Sequence, residues 1–130
     1  MSGIQEHGSS VLSAVSNAMI RLHKEQFGRG PIQARSNFAG PDTLVCVLHG
    51  VLLPAELKMV AMGDQGRVRD TRVAFQAATA SDFVAEIESI VHRKVQAFAS
   101  GIDPDANVAF ETYYFEPNGS SGANGGAPIA

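Results

Sequence analysis

The sequence predicts an α+β domain: an N-terminal helix, a β-hairpin, two or three helices and a second β-hairpin, forming a four-stranded, mainly antiparallel sheet with helices packed on one face. Three observations lead there. The stretch DTLVCVLHGVLL (42–53) holds five consecutive apolar residues, Leu44 to Leu48, a short branched run that reads as a strand buried on both sides. Apolar residues at helical spacing occur before and after it, each needing a sheet to lie on. Period-two alternation recurs around it and near the C-terminus, bounded by turn residues.

Residues 1–8 read as a disordered leader. Ser9 or Ser10 can cap a helix starting near Val11, in which Val11, Leu12, Val15, Ala18, Met19 and Leu22 form one stripe as far as Phe27. Gly28, Gly30 and Pro31 end it. From Pro31 to Phe38, Ile32, Ala34 and Phe38 alternate with Gln33, Arg35 and Asn37, predicting a strand. Ala39-Gly40-Pro41-Asp42 turns it into the 42–53 stretch as an antiparallel hairpin. Pro54 suits the first turn of a short helix carrying Leu57, Val60 and Ala61. Gly63-Asp64-Gln65-Gly66 interrupts it. Helical character returns from Arg67 to about Arg93 on a line of Val68, Phe75, Phe83, Ile87, Ile90 and Val91, with Ser81 and Asp82 able to divide it in two. Lys94–Ser100 alternates, 101–105 reads as a loop, and Asn107–Phe115 is β-rich. The domain therefore spans 9–116, and the Gly/Ser/Asn-rich stretch 117–130 has almost nothing to bury and is expected to be disordered.

Composition narrows the function. At 130 residues, 45% hydrophobic and with a formal charge of −3, the chain is one domain with a real core and no general basic surface. One cysteine, Cys46, sits inside the apolar strand and forms no intrachain disulfide. The N-terminus lacks a secretory pattern, and the longest apolar run is far short of the ~18 residues of a membrane span. These features point to a cytoplasmic protein.

Few residue groups carry chemistry. Gly28-Arg29-Gly30-Pro31, with Lys24, offers close backbone approach and positive charge to an anion, but the same residues serve as a helix C-cap, where the dipole disfavours anions. Arg67, Arg69 and Arg72 follow Gly66 at a helix start, which suits an anion or nucleotide; Asp64 and Asp70 interrupt them and favour surface ion pairs. Lys24, Arg29, Gly30, Arg67, Arg69 and Arg72 are accordingly the candidate ligand-binding residues. Gly63-Asp64-Gln65-Gly66 is a GxxG between two helices in a KH-like element order, a route to single-stranded RNA binding that Asp64 and the net acidity oppose. His7, His23, His49 and His92 show no metal-ligand spacing, and Asp103–Asn107 begins like a calcium loop but lacks its glycine and glutamate. No catalytic, Walker or dinucleotide motif is present, so no enzyme activity, cofactor or metal is expected. Asn118-Gly119-Ser120 matches a glycosylation sequon without a secretory signal beside it. Tyr113 and Tyr114 point to opposite faces of the last strand, which at a sheet edge would give an aromatic oligomer contact.

Taken together, KEQFGRGP (24–31), PDTLVCVLHGVLLPAE (41–56), VRDTRVAFQ (68–76) and HRKVQAFASGIDPDANVAFE (92–111) resemble the MpsC-like family, named for a sodium-translocating, membrane-potential-generating system. Gly28, Arg29, Gly30, Pro31, Thr43, Leu48, Pro54, Glu56, Arg69, Thr71 and Arg72 carry the match; His49 and Leu53 depart from it. The resemblance implies a compact α+β domain without catalytic residues. It further implies a cytoplasmic accessory or regulatory protein beside a membrane ion or inorganic-carbon transport system, acting through self-association as a dimer or through a transport-protein partner.

Overall fold

The computed structural model describes residues 3–117. The elements run α1 (Gly3–Phe27), β1 (Gln33–Phe38), β2 (Thr43–His49), α2 (Pro54–Ala61), α3 (Gln65–Val91), β3 (Val95–Asp103) and β4 (Val108–Phe115). The predicted fold class holds: one four-stranded sheet in the order β1-β2-β4-β3, antiparallel at every pairing. The expectation for the tail falls on 118–130, outside the described residues.

Helix α1 runs through Ser9 and Ser10 rather than starting at them, serine being only mildly unfavourable inside a helix. Its stripe is as expected, with Val15, Ala18, Met19 and Leu22 buried. Gly28, at φ +86°, ends it and donates its amide to the Lys24 carbonyl at 2.9 Å, so the first glycine of the GRGP stretch is a helix cap. Helix α2 begins at Pro54, and the Glu56 carboxylate accepts the Leu53 amide at 2.8 Å.

Helix α3 is one continuous helix, which resolves the choice between one and two. Its buried residues are Val68, Arg72, Gln76, Phe83 and Ile87. Phe75, expected in the core line, is instead 42% exposed with its ring against Phe27. The buried line advances by four residues from Val68 through Arg72 to Gln76, so the inward positions there are polar and Phe75 falls beside them.

β4 lies between β2 and β3, not at an edge, because the second hairpin inserts its last strand beside β2. The register fixes two sheet faces. Towards the helices lie Ala34, Ser36 and Phe38 of β1, Leu44, Cys46 and Leu48 of β2, Ala109, Glu111, Tyr113 and Phe115 of β4, and Phe98, Ser100 and Ile102 of β3. Away from them lie Arg35, Asn37, Val45, Val47, Phe110, Thr112, Tyr114, Ala97, Ala99 and Gly101. The apolar run in β2 therefore marks one buried face and one open apolar face, with Val45 and Val47 only half-buried. This corrects the reading of a strand buried on both sides. β3 extends to Asp103 through the expected loop, and Asn107, at φ +58°, makes the turn into β4 while its side chain accepts the Leu52 amide at 2.9 Å.

Candidate functional site: an enclosed polar cluster

The middle row of the covered sheet face is polar across all four strands: Ser36, Cys46, Glu111 and Ser100 are consecutive cross-strand neighbours. Apolar rows flank it on both sides, Phe38–Leu44–Tyr113–Phe98 and Ala34–Leu48–Ala109–Ile102. A fully buried carboxylate between such rows must be met by donors. One oxygen of Glu111 accepts from Gln76 Nε2 at 2.9 Å and from Ser100 Oγ at 3.1 Å, and lies 3.5 Å from His23 Nε2. The other oxygen has no partner, nor have Gln76 Oε1 and His23 Nε2. All three residues are more than nine-tenths buried.

The helices set these groups in place. His23 stands one turn beyond Met19 on the buried side of α1, and its Nδ1 is 2.9 Å from the Met19 carbonyl. A carbonyl can only accept, so Nδ1 carries a hydrogen and Nε2 is the ring nitrogen turned towards Glu111. The ring is held edge-on by Phe83 and stacked by Phe27. His23, Gln76 and Ser100 line a small cavity that also touches Arg72, Val73 and Ile102 and has room for the centre of about one water-sized guest, ≈ 10 Å³.

Neighbouring groups report the field of Glu111. Burial pushes the Cys46 thiol up to about 11, with the Ser36 hydrogen bond opposing and the Glu111 charge adding to the rise. Burial and then the charge of Glu111 likewise raise the Tyr113 hydroxyl. Both groups stay protonated at neutral pH, so neither is a nucleophile or a base here.

Arg72 borders the cluster, but its charge is committed. Its Nε donates to Glu56 at 2.8 Å, its Nη2 donates to Glu56 and to the Val51 carbonyl, and the guanidinium lies 3.9 Å from the centre of the Phe27 ring. Burial acts to raise the Glu56 carboxyl; the Arg72 hydrogen bonds, the Leu53 amide and the Arg72 charge outweigh it and hold that carboxyl below its ordinary range.

The six residues singled out from sequence are dispersed. Lys24, Arg29 and Gly30 lie at or just beyond the end of α1, and Gly30 packs so closely that an added Cβ would stand 2.9 Å from the Ile20 carbonyl oxygen. Arg67 and Arg69 are exposed on the first turns of α3, with Arg67 3.2 Å from Asp64. Arg72 alone of the six reaches the enclosed cluster. His23, Gln76, Ser100 and Glu111 escaped the sequence reading. Their signals were present: Glu111 shares its strand parity with Tyr113 and Phe115, and His23 continues the Met19 side of α1. Among the described residues no group of three His, Cys, Asp or Glu is placed to hold a metal ion.

No curated protein and no solved structure matches the chain. A family model does match, over residues 8–117, and its description is "Na+-translocating membrane potential-generating system (MpsC)".

Proposed function

The chain belongs to the MpsC family, and on that premise we propose that it is a non-catalytic accessory domain that pairs with a second copy of itself through the open face of its sheet, on the cytoplasmic side of a membrane ion or inorganic-carbon transport system. No helix among the described residues is long and apolar enough to cross a membrane. The proposed contribution to such a system therefore runs through protein contacts.

The observation that carries this reading is the open face itself. Phe110 and Tyr114 stand 44% and 41% exposed on the central strand β4, flanked by Val45 and Val47 on one side. On the other side the edge strand offers only Ala97, Ala99 and Gly101, with Gly101 opposite Phe110. Two aromatic projections beside a strip of minimal side chains form a surface that a two-fold related copy can complement, projection into strip. Polar residues Gln33, Arg35 and Asn37 border the patch along β1, as a rim borders an interface core.

Light scattering coupled to size exclusion tests the pairing. The wild-type chain is expected at twice its 13.7 kDa mass, and Phe110→Ser with Tyr114→Ser at one mass with its helical circular dichroism intact. A monomeric wild type at high micromolar concentration, or a double variant that still dimerises, overturns the reading.

A further inference from the structure

The sheet ends in two edge strands, β1 and β3, and they are unlike. β3 breaks its register with β4 between Val95 and Ala97, an irregularity of the kind that keeps added strands away from an edge. β1 pairs with β2 without a break from Gln33 to Phe38 and contains no proline. The Ala39 amide donates to the Thr43 carbonyl at 2.8 Å. Antiparallel bonding alternates from that pair, so Asn37, Arg35 and Gln33 bond to β2, while Ala34, Ser36 and Phe38 turn their amides and carbonyls outwards. Among the described residues no strand lies beyond them.

An open groove of ≈ 440 Å³ lies between this strand and α1, walled on the helix side by Leu12, Ser13, Ser16 and Asn17. Ser16 and Ser36, one from each wall, are hydrogen-bonded at 2.8 Å. Arg35 also lines the groove and is exposed; among the described residues its side chain has no hydrogen bond and no ion pair.

From these features we propose that the β1 edge and its groove receive an extended segment of a partner protein as a fifth strand, one in which small hydroxyl side chains alternate with carboxylates. The pairing geometry sets that alternation. Residues opposite Ala34 and Ser36 turn towards α1, where Ser13, Ser16 and Asn17 leave room for small polar groups. The residue opposite Arg35 falls in a non-hydrogen-bonded pair, the closer of the two cross-strand arrangements, and shares the face of the unpaired guanidinium, which a carboxylate complements. Backbone bonds along the edge supply affinity and the alternating side chains supply selectivity. This chain does not provide such a segment from the two places nearest to hand: neither β1 itself, QARSNF, nor residues 118–130 contain an aspartate or glutamate. A second copy pairing through β1 would also bring its own α1 to the side of the sheet that α1 already occupies. The site lies on the edge and the covered side, so it does not rest on pairing through the open face.

The test is fluorescence anisotropy on the full chain at ~0.15 M ionic strength, with a labelled, end-blocked peptide of alternating serine and glutamate about eight residues long. Saturable binding is expected, and roughly tenfold weaker binding of the matching serine–lysine peptide. Arg35→Glu, at an exposed position, should reverse that preference. The serine–glutamate peptide N-methylated at every serine should not bind, because it keeps the side chains and loses the edge-facing donors. Amide hydrogen exchange supplies a reading that needs no variant: Ala34, Ser36 and Phe38 should exchange fast in the free chain and slow on binding, with Arg35 and Asn37 slow throughout. Phe110→Ser with Tyr114→Ser should bind the peptide as the wild type does, which separates this site from open-face pairing. No binding at millimolar peptide overturns the proposal, as does equal binding of the two peptides or undiminished binding of the N-methylated one. So does a free chain in which Ala34, Ser36 and Phe38 are already protected, which would assign the edge to a second copy or to residues 118–130.

Discussion

On the covered side of the sheet the row Ser36, Cys46, Glu111, Ser100 is polar and closed over by α1 and α3, whereas the next residue along each strand places Arg35, Val47, Phe110 and Gly101 on the open side. A two-layer α/β domain ordinarily distributes polarity the other way, apolar inwards and polar outwards. Here the inward polar row sits between two apolar rows that supply most of the core. The outward apolar strip contributes nothing to the core. Each is thus a departure from what folding alone would select, and such departures concentrate where a chain does something besides fold.

The largest expected effect separates the two faces by stability. Phe83→Ala, fully buried against His23 and Phe98, should cost about 3–5 kcal/mol in denaturant unfolding. Phe110→Ala on the open face should cost less than about 1 kcal/mol in dilute, unpaired chain. Comparable losses at both positions would break the distinction.

Enclosed and surface charge can be compared in the same way. The Glu56 carboxyl is held below its ordinary value of 4.5 by Arg72 and the Leu53 amide, against the opposing effect of burial. A lowered folded-state value means that the unfolded chain takes up the proton first. The stabilisation is therefore fully present above that ordinary value and is lost as pH falls through the lower folded one. Denaturant midpoints followed from about pH 6 down to about pH 3 should decline in the wild type, with Glu56→Gln removing that part of the slope. The smallest effect is expected at Arg21, which meets Glu86 at 2.6 Å but is half exposed. Arg21→Ala should change stability by less than about 0.5 kcal/mol, and should do so chiefly at low salt.

Where one physical signal dominated, the sequence was legible. The α1 stripe, the turn at Ala39–Asp42, Pro54 at the start of α2 and the existence of all four strands survive into the structure, as does the family that the four quoted stretches resemble. Strand order was not legible, because turn chemistry reports which strands are joined and not which strand lies beside β2. The enclosed cluster was hidden for a related reason. Histidine, glutamine and glutamate at core-facing positions look, to a reading based on hydrophobic spacing, like places where the pattern skips a turn. Phe75 misled in the opposite sense, being apolar at a position next to the buried line.

The position of β4 also constrains how the chain acquires its shape. β4 follows every other described element in synthesis, yet it pairs with both β2 and β3 and brings Glu111, Tyr113 and Phe115 into the core. Until it leaves the ribosome, β2 presents a bare apolar edge beside β1, and β3 has no neighbour in the sheet. The contacts that complete the domain link residues far apart in sequence, such as Met19 with Tyr113 and Leu52 with Asn107. Folding is therefore held back until β4 has been synthesised, and a nascent chain stalled before Val108 is the species most in need of a chaperone.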